Sequence, residues 1–202
     1  MTKLRPETDT MPADPPILRF MLKPAATLRI ELLHVQPLVW RRLVVPADIQ
    51  LPKLHKVFQA VMGWDDEHLH QFEFGDTIYG TPSDEYPGDP TLPEKGVRLN
   101  KALGSNTEFD YEYDFGDSWR HRIVVEGMGN PELTLTLPAC LAGENACPPE
   151  NVGGVTGYAE FVEALADPEH EQHNDYRTWI GGIFDPAGFD VNAVNVRLRA
   201  IR

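Results

Sequence analysis

The sequence predicts an α+β fold: an antiparallel sheet, one early helix packed on it, and a C-terminal helical part. Three observations carry this. Bulky and polar residues alternate with period two through residues 27–45 and 109–125, the mark of half-buried strands. A helical stripe appears once early, at 52–62, and otherwise only after residue 157. Strands first and helices last argue against an alternating parallel βαβ fold. The 202 residues, 42% hydrophobic and 24% charged, suffice for one domain with a real core. Residues 1–24, rich in Pro, Thr and Asp, are expected to form a flexible leader, and 25–202 a single α+β domain.

The elements follow in order. Leu28, Ile30, Leu32 and His34 share one face of a strand over 27–35, which Pro37 breaks. A second strand, 38–45, puts Val39, Leu43 and Val45 on one side and Trp40, Arg42 and Val44 on the other, completing a hairpin. In the helix over 52–62, Leu54, Val57, Phe58 and Val61 form the apolar stripe, with Pro52 in the first turn and Gly63 just past the end. Residues 70–74 and 77–79 read as a hairpin around Gly75-Asp76, and 80–96 as loop. Residues 97–103 are ambiguous. Residues 133–137 read as a short strand and 140–154 as loop. Helices are expected over 157–166, over 169–179, and from an N-cap at Asp190 through Val191, Val194, Leu198 and Ile201.

The most informative segment is 109–125. Phe109, Tyr111, Tyr113 and Phe115 alternate with acids; Trp119, His121, Ile123 and Val125 alternate with Arg120, Arg122 and Val124. A two-residue loop would mix the faces. A three-residue loop, Gly116-Asp117-Ser118, pairs Phe115 with Trp119 and Tyr113 with His121, and on the other face Asp114 with Arg120 and Glu112 with Arg122. A one-residue slip inverts a strand. Burying one ring is worth roughly 1.5–3 kcal/mol, against about 0.2–1 kcal/mol for a cross-strand pair. The reading therefore favours the odd-length loop.

Lys+Arg number 18 against 31 Asp+Glu, a net charge of −13. Acids dominate 57–94 and 139–190. Such a surface repels phosphate backbones, so non-specific nucleic-acid binding is not expected. It serves solubility or receives a basic protein partner or a cation. No apolar run is long enough to span a membrane and two cysteines are too few for a disulfide scaffold, so a cytoplasmic location is expected.

Candidate chemistry gathers in a few places. His68 and His70 would share a strand face, with Asp65 and Asp66 upstream; they serve either as ligands of a divalent metal such as Zn or as hydrogen-bonded structural rings. His121 lies beside Tyr113 in the expected register and would join them. Cys140 and Cys147 have wider spacing than a zinc knuckle. They pin a loop, bind metal together with a histidine, or form a redox pair. Asp114 and Asp117 flank a tight turn, where turn chemistry competes with a functional role. Trp64, Trp119 and Tyr113 are core rings or the wall of a binding groove. Trp40-Arg41-Arg42 with Arg120 and Arg122 reads as salt-bridging or as a small anion site. No Ser-His-Asp order, nucleophile elbow, Walker loop or dinucleotide glycine pattern is present.

Several of these stretches also carry a likeness. Val39-Trp40-Arg41-Arg42, the run from Met62 to Phe72, the run from Tyr111 to His121, and Cys140 through Gly154 followed by Gly157-Tyr158 together resemble the plasmid pRiA4b ORF-3-like family. The resemblance covers roughly Thr27 to Leu198. It implies an α+β fold and brings no biochemical activity with it. Some members are insertion-element passengers and carry a resolvase-like label from that context. Asn151 departs from the acidic residue expected after Pro148-Pro149-Glu150.

Three functions stand at this point. The first is a non-catalytic binding or accessory module, linked to mobile elements. The second is a metal-dependent hydrolase using His68, His70, His121, Asp65 and Asp114. The third is a DNA-processing accessory.

Overall fold

In a computed structural model, which describes residues 24–83, 88–130 and 135–201, eight strands form one sheet in the order β5-β4-β3-β6-β7-β1-β2-β8. They are β1 (Ala25–Leu32), β2 (Trp40–Pro46), β3 (His70–Phe74), β4 (Thr77–Gly80), β5 (Leu92–Pro93), β6 (Glu108–Tyr113), β7 (Trp119–Gly129) and β8 (Ala139–Glu144). Every pairing is antiparallel except β4 with β5. The helices are α1 (Leu51–Met62), α2 (Leu99–Ala102), α3 (Gly154–Ala166), α4 (His173–Ile180) and α5 (Val191–Leu198). The fold is α+β, as the order of periodicities predicts. The expected leader lies outside the described residues.

Period-two alternation decides which face is dry. Phe72 and Phe74 of β3, Phe109, Tyr111 and Tyr113 of β6, Trp119, His121 and Ile123 of β7, and Leu28, Ile30 and Leu32 of β1 are all buried. Leu54, Val57, Phe58 and Val61 of α1 cover them, and Val194 and Leu198 of α5 join the same core. α1 ends at Gly63 in a left-handed conformation whose N–H donates to the Gln59 carbonyl at 2.8 Å. Asp190 caps α5 by accepting from the amides of Asn192 and Ala193 at 2.8 and 3.2 Å. The opposite sheet face carries ion pairs: Arg120 with Glu73 at 3.1 Å, Arg122 with Glu108 at 3.9 Å, and Arg42 with Glu126.

The β6–β7 register corrects the three-residue loop. Tyr113 pairs with Trp119, Tyr111 with His121, Phe109 with Ile123, and Glu112 with Arg120. The connection is five residues, 114–118. Sliding by two preserves parity, so Tyr113 and His121 still share the inner face, but Phe115 leaves it and is 51% exposed. Asp114 explains the longer turn. It takes a positive φ of 57°, and its Oδ1 accepts from the amides of Gly116 at 3.0 Å and Asp117 at 3.4 Å. Its carbonyl accepts from Ser118 N–H at 2.6 Å. Asp114 is therefore buried turn hardware, not the partner of Arg120.

Other expectations shift as well. β1 stops at Leu32, and His34 sits exposed at φ 65° in the connection to β2. The ambiguous 97–103 stretch contains α2. The expected loop at 140–154 opens with β8, which pairs with β2. α3 begins three residues early, and α4 begins only at His173, after turns. Of the expected strand at 133–137, residues 133–134 lie outside the described residues, and 135–137 are not strand but lead into β8.

Arg41 is the least anticipated member of the core. It is 3% exposed, yet among the described residues it forms no ion pair with a carboxylate. Its Nε donates to the Val61 carbonyl at 3.1 Å, Nη1 to the carbonyls of Trp40 and Glu144, both at 2.8 Å, and Nη2 to that of Asn145 at 2.9 Å. Phe189 stacks on the guanidinium at 4.3 Å. One side chain thus ties the end of α1 to the end of β8. Replacing Arg41 with Met strips these carbonyls of a donor and is expected to cost about 3 kcal/mol or more in urea unfolding. The same change at its exposed neighbour Arg42 is expected to stay within about 0.5 kcal/mol. Equal effects at the two positions would contradict this assignment.

Candidate functional site

Three loops meet where α1 ends, β3 begins and β6 turns into β7. They are residues 64–69, 114–118 and 145–153. The aromatic face of the sheet lies beneath them, and its polar atoms organise what sits above.

Tyr113 is buried, and its hydroxyl donates to Glu150 Oε1 in a short hydrogen bond while accepting from the Glu67 N–H at 3.0 Å. The other oxygen of Glu150 accepts from the Asp65 N–H at 2.9 Å. Burial, followed by the Glu150 carboxylate, pushes the Tyr113 pKa up, so the phenol keeps its proton. Trp64 stacks on Tyr113 at 5.0 Å, and its indole N–H donates to the Pro148 carbonyl at 2.9 Å. His68 Nε2 bonds Asn151 Oδ1 at 3.0 Å and lies 3.6 Å from Asp114 Oδ2. Asn151 occupies a left-handed position (φ 61°), a conformation Asn tolerates well. The chain's departure from an acid at 151 thus leaves His68 facing a neutral amide. Asp117 Oδ2 accepts from the Gly153 N–H at 3.2 Å. Gly154 follows at φ 67°, and a Cβ there would sit 2.7 Å from the Asp117 carbonyl oxygen, so this loop closes on the turn only with glycine.

A second network lies deeper. The Tyr111 hydroxyl meets His55 Nδ1 at 2.7 Å and accepts from Gln59 Nε2 at 3.1 Å. His55 Nε2 bonds Asp66 Oδ1 at 2.6 Å, and the Gln59 side-chain oxygen accepts from the Asp66 N–H at 3.2 Å. His70 stacks on His55 with centroids 3.5 Å apart and bonds Glu94 Oε2 at 3.0 Å. Burial, then the neighbouring His70, lowers the His55 pKa to about 4, against the pull of Asp66. Burial alone lowers His121 to about 4.

The structure gathers Trp64, Asp65, His68, Tyr113, Asp114, Asp117 and Trp119 at this end of the sheet. It does not bring the five tentative metal ligands together. His68 is held by Asn151, while His70 is stacked on His55. His121 is fully buried, with Nδ1 3.3 Å from the Tyr111 carbonyl. Cys140 and Cys147 are free thiols on the Arg41 side, pushed up by burial to about 11 and about 12. Such thiols are poor nucleophiles at neutral pH. Among the described residues no group of three or more His, Cys, Asp or Glu side chains is placed to hold a metal ion.

The sequence reading missed His55, Gln59 and Glu150. His55 had a signal: Leu51, His55, Phe58 and Met62 fall on one helical stripe, where a polar residue must find a buried partner. Glu150 had none beyond its motif, because its partner stands 37 residues away.

Comparison with known proteins adds the family. The family model described as plasmid pRiA4b ORF-3-like protein matches residues 24–193. The chain belongs to the plasmid pRiA4b ORF-3-like family. It is 41% identical over 178 residues to the uncharacterized protein y4hQ of Sinorhizobium fredii (strain NBRC 101917 / NGR234), covering 87% of this chain and 91% of that one. It is similar to the crystal structure of the protein of unknown function MM3350 from Methanosarcina mazei Go1, with a TM-score of 0.78 and 36% identity. That match covers 85% of this chain and 98% of the other. The family motifs at 62–72, 111–121 and 140–154 supply the three loops of this site.

The two buried histidines set a pH dependence. Their folded pKa values, about 4, lie below the ordinary 6.5, so the unfolded chain binds more protons between these limits. Their stabilising contribution is complete above pH 6.5 and falls away as pH drops toward 4. At 1.36 kcal/mol per unit, each accounts for about 3 kcal/mol at most. Urea unfolding at pH 7, 5.5 and 4 is expected to show a progressive loss of several kcal/mol; a flat profile would contradict the neutral buried assignment.

Proposed function

We propose that this chain is a non-catalytic binding module whose loop end receives a basic segment of a protein partner. One observation carries the reading. Beside the three loops lies a groove of about 390 Å³ lined by Asn151, Val152, Gln172, Asp175, Tyr176 and Trp179. Trp179 is 48% exposed and backed edge-on by Phe161 at 5.7 Å, so its ring is held open to solvent. An exposed indole next to a carboxylate is a receiver for Lys or Arg through cation–π and ionic contact. Asp65 and Glu67, also exposed, add negative charge from the adjoining loop.

The buried polar groups support binding over catalysis. The hydroxyls of Tyr111 and Tyr113, the ring nitrogens of His55 and both oxygens of Glu150 are already engaged within the chain. A metal-dependent hydrolase through His68, His70 and His121 is less well supported, because each ring has its own separate setting. Among the described residues no helix is long and apolar enough to cross a membrane. An accessory role beside mobile-element proteins belongs to this proposal through the family context alone, and a cytoplasmic setting through the composition read above.

The test uses a fluorescein-labelled peptide of about ten residues rich in Lys and Arg. Binding read by anisotropy and Trp fluorescence should weaken steadily with salt. The double variant Trp179→Ala, Asp175→Asn should raise Kd about tenfold or more. No binding at low salt, or binding that ignores the double variant, would overturn the proposal.

A further inference from the structure

We propose that a cavity at the start of α1, at the far end of that helix from the loops above, binds a small organic phosphate. Its volume is about 710 Å³, within the roughly 300–1,000 Å³ of small-molecule sites. The lining joins apolar residues, Ile49 and Ile201 among them, to Lys53, Lys56 and Arg98. In a chain with 18 basic and 31 acidic residues, three cations here meet one acid, Asp48, among the described residues. That acid is already engaged: Arg98 Nη1 donates to its carboxylate at 3.0 Å and to its carbonyl at 2.7 Å. Among the described residues, Lys53 and Lys56 have no carboxylate partner.

The placement of the lysines costs the free protein stability. They stand three residues apart on one side of α1, where like charges repel. Lys53 lies in the first turn, the positive end of the helix dipole, and that turn holds no acid. Departures from local rules of this kind are expected at functional or strained positions. An anion in the cavity relieves both penalties at once.

Side chains, not backbone, must hold it. The Leu51 N–H donates to the Val97 carbonyl at 2.9 Å, and those of Lys53 and Leu54 donate to the Gln50 carbonyl at 3.0 and 2.9 Å. Pro52 has no N–H. Two ammonium groups and a guanidinium together match the several oxygens and double charge of a phosphate better than a single carboxylate. The apolar wall accepts the organic body. The acidic remainder of the surface disfavours a polynucleotide.

The experiment titrates the full chain with phenyl phosphate, with inorganic phosphate and with phenol, read by amide chemical shifts. Phenyl phosphate should bind more tightly than either fragment, with shifts grouped on residues 48–56, 97–98 and 200–201. The double variant Lys53→Gln, Lys56→Gln should raise its Kd about tenfold or more. Both lysines are exposed, so the variant should fold, and its thermal midpoint without ligand should equal or exceed that of the parent. Shifts elsewhere, no saturable binding, or binding unaffected by the double variant would overturn the proposal. None of these results bears on the basic-peptide groove, whose residues lie at the other end of α1.

Discussion

Two phenol hydroxyls in a dry interior organise this molecule. Tyr111 and Tyr113 stand on the inner face of β6 with no access to water. An unpaired hydroxyl there costs about 1–3 kcal/mol, so each must recruit a partner from another part of the chain. Tyr111 recruits His55 and Gln59 from α1, and through them Asp66. Tyr113 recruits Glu150, and through it the Asp65 amide. Satisfying two atoms therefore docks the helix, shapes the 64–69 loop and ties down the 145–153 loop. The three family motifs meet because each supplies one side of this arrangement.

What the sequence made legible follows from periodicity. The inner and outer faces of β6 and β7, the apolar stripe of α1, the role of Asp190 and the α+β order all rest on side-chain period or local capping. The loop length did not follow, because three and five residues both keep Tyr111, Tyr113, Trp119 and His121 on one face and differ only at Phe115. Only the side-chain turn made by Asp114 separates them, and it is a tertiary fact: its N–H also donates to the Leu69 carbonyl. β8 was illegible for a similar reason. Ala139–Glu144 has no β-branched residue, and β2 imposes strand geometry on it. At Gly143 a Cβ would lie 2.7 Å from the Trp40 carbonyl oxygen and 2.8 Å from Arg41 and Phe189. That glycine is what lets the buried guanidinium and its ring fit beside the strand.

Charge is sorted with the same economy. The outer sheet face neutralises itself in ion pairs, which leaves Trp40-Arg41-Arg42 with no free anion site: Arg41 is buried among carbonyls and Arg42 faces Glu126. Unneutralised charge remains at the two ends of α1. Acids and an exposed indole collect toward its C-terminal end; in its N-terminal half stand two lysines that have no carboxylate partner among the described residues. The helix is about 18 Å long over its 12 residues. A rigid element of that length would hold the two proposed recognition surfaces, of opposite sign, apart.

Amide hydrogen exchange of Tyr113→Phe tests the central claim most directly, because it removes one oxygen and keeps the ring. Residues 64–68 and 150–154 should lose protection together while β1, β2 and the body of α1 keep theirs. Unchanged protection in both loops would contradict the claim that the Tyr113 hydroxyl holds them.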